Sequence, residues 1–388
     1  MPDWTEEQRE LRAGIGRWCE ALNEGYPERE HAGEFDHDVW KLVCGSGVLG
    51  LPFGTQWGGL DQSLLTTMSV LEELGYRCHD GGLCFSVTTH MVSAGVPVTR
   101  FGSAALKDRY LPGICDGSTI GAHAISEPGS GSDALAMRTT GRRSGDDWVL
   151  SGSKTFVSNG PVADVFVVYV RTNPAAGPLG VTAMVVERDT PGLTIGQPIS
   201  KMGLKTSPFA ELFFDDCVVP AANVVGRPGS GFLVLDHVMK WEILCSFIVN
   251  VGQMRRRVDR CVDYARSRTQ FGSPIGSFQA VANKIVDMRI GADTAGRWLY
   301  DTAARLERGE NVTIDIAISK LLASEANVSG ALAAVQVFGG NGYTTEYGLE
   351  AELRDAVAGT IYSGTSDIQR NRIARMLGLG EKKTLERT

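Results

Sequence analysis

The sequence predicts a mainly α-helical protein with a central β domain. Two textures carry that expectation. Up to about residue 117, and again after the glycine-rich link Gly226 to Gly231, apolar residues recur at three- and four-residue spacing, the period of an amphipathic helix. Between those stretches lie short β-branched runs punctuated by Gly, Pro, Asn and Asp, the pattern of strands and turns. The expected domains are therefore 1–117 (helical), 118–226 (sheet) and 227–388 (a helical bundle). A chain of 388 residues has room for two or three, because single cores stop growing at about 250 to 300 residues.

In the first segment, Glu6 to Leu22 and Leu64 to Leu74 carry the helical spacing most plainly. In the second, Trp148-Val149-Leu150, Val165 to Val170, Val181 to Val186 and Leu212-Phe213-Phe214 read as antiparallel strands, closed by Val218-Val219-Pro220. In the third, helical periodicity lasts almost to the end. The run Arg255-Arg256-Arg257, followed by Asp259, Arg260 and Asp263, reads as a solvated or salt-bridged helix face.

Composition excludes some functions. A net charge of -7 without a long Lys/Arg block argues against a nucleic-acid partner, since phosphate neutralisation needs clustered cations. The N-terminus has no apolar signal core and no run of eighteen apolar residues follows, so no membrane is expected and the expected location is the cytoplasm. The eight cysteines are scattered, with no CxxC pair and no His at ligand spacing; buried free thiols are expected, and no metal.

Four segments carry chemistry. Ala124-Ile125-Ser126-Glu127-Pro128-Gly129-Ser130-Gly131-Ser132-Asp133 lets backbone N–H groups approach a flat polar ligand edge, although an exposed Gly-Ser turn reads the same way. Phe156 and Ser158, two apart on a strand, point to one face and present a ring beside a hydroxyl, or a core Phe beside a hairpin-closing Asn-Gly. Ala265-Arg266-Ser267-Arg268-Thr269-Gln270-Phe271-Gly272-Ser273-Pro274-Ile275 ends one helix and enters another that contains Gln279; its Arg suits a pyrophosphate or a plain C-cap. Gln336-Val337-Phe338-Gly339-Gly340-Asn341-Gly342-Tyr343 ends a further helix with glycines that allow close approach or a simple helix stop.

Taken in order, and with Lys201-Met202-Gly203-Leu204-Lys205, Phe214-Asp215-Asp216 and the C-terminal Ile361-Tyr362-Ser363-Gly364-Thr365-Ser366-Asp367-Ile368-Gln369-Arg370, the four segments resemble the acyl-CoA dehydrogenase family over nearly the whole chain. The resemblance implies that family's fold: N-terminal helices, a β-barrel-like middle domain and a C-terminal four-helix bundle. It also implies FAD between sheet and bundle, and a homo-oligomer, usually a tetramer. His123, Ile125, Ser126, Gly131, Ser132, Phe156 and Ser158 would then border the flavin, with Ser132 also along the thioester chain. Arg268, Gln270, Phe271, Gln279, Gln336, Gly339 and Gly340 would reach the FAD of a neighbouring subunit, and Thr365 and Asp367 would touch the cofactor from the C-terminal turn. Tyr362 and Gly364 would meet the substrate, as would His90, which falls where relatives border the acyl pocket, although a satisfied core histidine suits it better.

The implied activity is α,β-dehydrogenation of an acyl thioester: a carboxylate takes the α-proton while hydride leaves Cβ for flavin N5. Electrons pass on to an electron-transferring flavoprotein, or to oxygen. Relatives carry their base in a Tyr-Glu-Gly-Thr turn, where this chain has Ser363. The turn also supplies a backbone N–H to the thioester oxygen, and a serine keeps that donor while removing the base. A minority of the family, isovaleryl-CoA dehydrogenase among them, holds the Glu on the first long C-terminal helix, a position that falls on Glu242 here. Glu242 is the only charge between Trp241 and Val251, and no cation sits three or four residues away, so the helix alone leaves it either at the edge of the apolar face in water or buried as a general base would be. Most relatives follow it with an Arg beside the CoA arm; this chain has Ile243, which leaves CoA and a carrier-protein phosphopantetheine both open. A same-fold flavin oxidase or N-hydroxylase, and a silent flavoprotein with Glu242 salt-bridged or in water, are the rival readings.

Overall fold

The computed structural model describes residues 4–379; the outer ends of the two helical segments, 1–3 and 380–388, lie outside the described residues. The chain folds as helices, sheet, helices. The first helical part comprises α1 (Glu6–Asn23), α2 (Tyr26–Ala32), α3 (His37–Gly45), α4 (Leu64–Arg77), α5 (Gly81–His90), α6 (Val96–Phe101) and α7 (Ala104–Asp116), with a π-helical turn, Met91–Gly95, between α5 and α6. Local chemistry fixes its starts: Thr5 and Gln8 form a reciprocal capping box on α1, and Ser63, Asp80 and Ser103 cap α4, α5 and α7. Each such cap contributes about 1 kcal/mol.

The middle part contains β1 (Gly121–Ala124), β2 (Thr140–Ser144), β3 (Asp147–Ser158), β4 (Val165–Arg171), β5 (Val181–Glu187), β6 (Leu193–Ile195), β7 (Phe209–Pro220) and β8 (Val224–Val225). They form one sheet in the order β6-β7-β3-β2-β4-β5-β8, with β1 paired to β4. Most pairings are antiparallel, as the runs suggested, but β1 lies parallel to β4, with His123 opposite Val167. Gly121-Ala122-His123-Ala124 has no β-branched residue, so its strand carries no propensity signal. Strands β4 and β5 are buried on both faces over nearly their whole length, which explains their unbroken apolar runs.

The last part is built on three long helices, α8 (Gly231–Ser267), α9 (Gln279–Glu307) and α10 (Thr313–Phe338), with α11 (Leu349–Ala358) and α12 (Ser366–Met376) packed on α10. Helix α10 and the turn after it, Thr313–Tyr343, are long and apolar enough to cross a membrane, and α10 packs here against α8, α9, α11 and α12. Two glycines set the rotation of α8. A Cβ on Gly252 would come within 2.1 Å of the Glu72 carbonyl, and one on Gly75 within 2.1 Å of the Val249 carbonyl, so α4 and α8 cross backbone to backbone. Of the two readings of the arginine run, salt-bridged holds and solvated does not: Arg256 and Arg257 are buried, and with Arg260 they pair with Glu352 of α11.

Candidate active site

The rotation of α8 decides where Glu242 points. The residue is buried at 9% exposure, and two other elements reach it. The turn between α11 and α12 brings Ser363, whose hydroxyl donates to Glu242 Oε1. Strand β1 brings His123, whose Nε2 lies 3.4 Å from Glu242 Oε2. Oε1 is thus held by a donor, while Oε2 has no hydrogen-bond partner among the described residues. Burial pulls the imidazole of His123 below its ordinary pKa, although the Glu242 carboxylate pushes it up, so the contact is one of a carboxylate with a neutral ring rather than an ion pair. His123 Nδ1 and the Tyr169 hydroxyl, both buried, also lack partners among the described residues, and burial first and Glu242 second push the Tyr169 phenol up.

Ser363 sits in left-handed backbone, φ 54°, followed by Gly364 at φ 84°. Two such residues in succession reverse the chain between helices, and Gln369 of α12 fixes the reversal by donating to the Ser363 carbonyl at 2.8 Å. Among the described residues the Ser363 N–H meets no acceptor in the chain. One turn therefore offers a free N–H and, through its side chain, a grip on the carboxylate of α8. Tyr362, next to it, packs its ring on Phe85 (centroids 4.9 Å apart) and Phe247 (5.1 Å), and its hydroxyl accepts from Asn250 at 3.3 Å.

The first glycine-serine segment is pinned rather than loose. Lys154, fully buried on β3, donates to the Ile125 carbonyl at 3.0 Å and to Glu127 Oε1 at 2.8 Å. Burial lowers Lys154 to about 8 against the pull of Glu127. Burial alone would raise Glu127, but donors from Lys154, Thr139 and the Arg138 N–H outweigh it and hold that carboxyl at about 2. The pair is ionised at neutral pH. A further bond, Thr155 N–H to the Ser126 carbonyl at 2.8 Å, ties this segment to the end of β3. That brings Ile125 and Ser126 beside Phe156 and Ser158. A register shift between Lys154 and Val157 puts Phe156 at φ 56° and leaves its ring 63% exposed, against Phe209, with Ser158 on the same partly exposed side.

The second set of predicted cofactor residues lies on the bundle. Arg268 closes α8, Gln270 and Phe271 form the hairpin that follows, and Gln279 opens α9. Phe271 is 95% exposed at φ 51°. Gln336 ends α10, Gly339 follows at φ 61°, and Gly340 is next; Thr365 caps α12 through the Ile368 N–H, with Asp367 exposed in its first turn. Around Gly131, Gly339 and Gly340 a Cβ would meet nothing within 4 Å. Open backbone at three glycines, the bared Phe156 ring and the polar Ser126, Ser132 and Ser158 suit a flat, hydrogen-bonding cofactor, and FAD fits this surface. Within one chain the two sets are not joined by any hydrogen bond among the described residues.

Of the two readings of His90, substrate contact and core histidine, the structure supports the core one, which the sequence favoured. His90 does not face a substrate: it is fully buried, its Nε2 donates to the Ile114 carbonyl at 2.8 Å and its Nδ1 accepts from the Gly121 N–H at 3.1 Å. Both nitrogens are spent tying α5, α7 and β1 together, and burial lowers its pKa to about 4. Sequence reasoning missed three things here. Each half of the Lys154–Glu127 pair lay inside a recognised motif, and the signal was a charge in an otherwise apolar or small-residue stretch. Asn250, two turns beyond Glu242 on the same helix face, was readable from its spacing. Tyr169 had no one-dimensional signal, because its approach to Glu242 depends on sheet pairing.

Comparison with known proteins follows this geometry. Residues 5–118 match the family profile described as acyl-CoA dehydrogenase, N-terminal domain, residues 122–217 the middle domain and residues 229–378 the C-terminal domain. An L-prolyl-[peptidyl-carrier protein] dehydrogenase of a Serratia strain is 38% identical over 93% of this chain and 94% of its own. Among solved structures, the prolyl acyl carrier protein oxidase AnaB superposes with a TM-score of 0.95 at 38% identity, covering 97% of this chain and all of its own. A structure described as PigA with FAD and proline gives 0.95 at 36% identity over 98% of this chain and 100% of its own.

Proposed function

The chain belongs to the acyl-CoA dehydrogenase family, and from that premise we propose that Glu242 is its catalytic base, in the subgroup that carries the base on the first long helix of the C-terminal domain. The protein is an FAD-dependent oxidoreductase of acyl thioesters. The observation that carries the reading of the base is the meeting of Glu242, Ser363 and His123, which come from three separate elements. The silent-flavoprotein alternative needs Glu242 in water or paired with a cation. Instead it is buried beside a neutral ring.

In the proposed step the substrate's thioester carbonyl accepts the Ser363 N–H. An α-proton of a thioester is too weakly acidic for a free carboxylate, and this donor stabilises the negative charge that develops on oxygen as the proton leaves. Glu242 Oε2, without a partner, takes that proton. The Ser363 hydroxyl holds Oε1 and so fixes the direction in which the other oxygen points. His123 lies 3.4 Å from Oε2 without a hydrogen bond to it, and as a neutral ring adds no cation that would make the carboxylate a weaker base. FAD, when bound, supplies the two-electron acceptor for the pair that leaves Cβ; Ile125, Ser126, Gly131, Ser132, Phe156 and Ser158 would hold it from one chain.

The acyl group reaches this site on a phosphopantetheine arm, and a carrier protein is the better-supported bearer. Ile243 is 1% exposed and packed in the core, so the position offers no cation to CoA, and two of the relatives above are named for carrier-bound substrates. The exposed Phe271 and the open glycines after α10 support completion of the site by a second subunit of a tetramer. Eight cysteines without a disulfide suit a reducing, cytoplasmic compartment. An electron-transferring flavoprotein is the proposed acceptor; the name oxidase on one relative keeps oxygen as the second reading. Peroxide release on mixing reduced enzyme with air separates the two.

A further inference from the structure

The stretch Lys201-Met202-Gly203-Leu204-Lys205 belongs to the family pattern, yet the proposed chemistry uses none of it. It forms a turn that runs into β7, whose first residue, Phe209, pairs with Ser158 at the end of β3. The turn is held from several sides. The Ser207 N–H donates to the Leu204 carbonyl at 3.0 Å, the Leu204 N–H donates to Asp355 of α11, and the buried Ser207 hydroxyl accepts from Ser86 of α5 at 2.8 Å. Lys201 is therefore fixed relative to the residues proposed to border the flavin.

From that turn the half-buried Lys201 reaches back, donates to the Ser207 carbonyl and lays its ammonium over the Phe209 ring, 5.0 Å from the centroid. Phe209 in turn meets Phe156 edge to face, with centroids 5.6 Å apart. Phe156 is the ring bared at 63% on the proposed flavin surface. One cation and two rings thus stand in a row behind that surface.

Two ammonium groups back the flavin surface, and they differ in pairing. Lys154, behind Ile125 and Ser126, is matched by Glu127 at 2.8 Å, so its charge is offset. Lys201 has no carboxylate partner among the described residues. Burial lowers it to about 8, while Asp355 and Glu30 pull the other way, and it stays protonated at neutral pH. A cation partly withdrawn from water without a counter-ion costs stability, and it acts on whatever charge develops in front of it.

We propose that Lys201 tunes the cofactor: its positive charge, standing behind Phe209 and Phe156, raises the electron affinity of the bound flavin. Hydride leaving the substrate's Cβ brings two electrons and one proton to the ring system, which gains one net negative charge, and a fixed cation favours that state. The proposal rests on the reading that Phe156 and Ser158 border the flavin. It is independent of which residue is the base and of the acyl group. Acting across the two rings at an effective dielectric of about 20, one charge changes such an equilibrium about tenfold.

The test is the midpoint potential of the bound flavin, by anaerobic dye-coupled titration of the full-length, FAD-loaded protein. Lys201→Gln keeps a donor for the Ser207 carbonyl and removes the charge; Lys201→Arg keeps both. The expected result is reduction about tenfold less favourable in Lys201→Gln, a shift of about 30 mV to lower potential for a two-electron couple, with the midpoint of Lys201→Arg unmoved. A wild-type midpoint in Lys201→Gln overturns the inference, and so does partial loss of FAD from that variant with the loaded fraction titrating as wild type. Equal shifts in both variants also overturn it, because they make the effect one of turn geometry. Phe156→Leu separates this failure from that of the flavin surface itself, since it should change the visible spectrum of the bound flavin. If Phe156→Leu and Lys201→Gln both leave the flavin unaltered, its placement against Phe156 falls as well.

Discussion

At the scale of single residues, the proposed site divides one task between two positions. Ser363 occupies the turn from which relatives offer their carboxylate, and its hydroxyl bonds to the carboxylate that α8 brings to the same point. Ser363→Ala keeps the N–H and removes only the grip on Oε1, so flavin reduction by substrate should slow about tenfold, the size of one hydrogen bond of about 1.5 kcal/mol to a charged group. His123 separates two roles. If it steadies Glu242, His123→Phe should slow flavin reduction with FAD content unchanged; loss of FAD with unaltered reduction in the remaining holoenzyme would make it a flavin contact alone. Glu242 was legible because its helix offers no other charge. The contacts around it were not: the approach of His123 and Tyr169 to Glu242 comes through sheet pairing, and the partners that hold His90 in the core are tertiary.

At the scale of elements, α8 organises the protein. Its first half covers β5 and carries Glu242, its middle crosses α4 through Gly252, and its last third anchors α11 through Glu352. Burial alone would raise the Glu352 carboxyl, but Arg257, Arg256 and Arg260 outweigh it and hold it at about 2, against an ordinary 4.5. A carboxyl depressed on folding contributes stability above its unfolded pKa and loses it as the pH falls toward the folded one. Glu352→Gln should therefore destabilise by about 3 to 5 kcal/mol at pH 7 by leaving buried arginines unpaired. The gap to wild type should narrow as the pH drops from about 4.5 toward 2, in denaturant unfolding at several pH values. The turn that ends in Ser363 follows α11, so this ion cluster also holds the site. The helices were readable from period alone; that the arginines were buried was not, because their acidic partner lies about ninety residues downstream.

At the scale of the whole molecule, the fold class follows from the alternation of textures, since a helical period and a strand period cannot share one segment. The sheet's parallel strand escaped that reading, and the bearing of one subunit on another lies beyond it. The chain displays a nearly fully exposed Phe271 beside the residues expected to meet a neighbour's FAD. Phe271→Ser should weaken both assembly and flavin retention, so that on dilution FAD is released at higher protein concentrations than in the wild type, followed by light scattering and flavin fluorescence. A variant that stays fully loaded and assembled on dilution would remove Phe271 from the interface.

The central claim is that a base absent from the C-terminal turn stands on α8. The most direct measurement is anaerobic flavin bleaching by a panel of small acyl-pantetheine thioesters in wild type and Glu242→Gln, both loaded with FAD. The expected result is loss of bleaching by at least about a thousandfold with the oxidised flavin spectrum intact; bleaching of the variant at the wild-type rate would contradict the account.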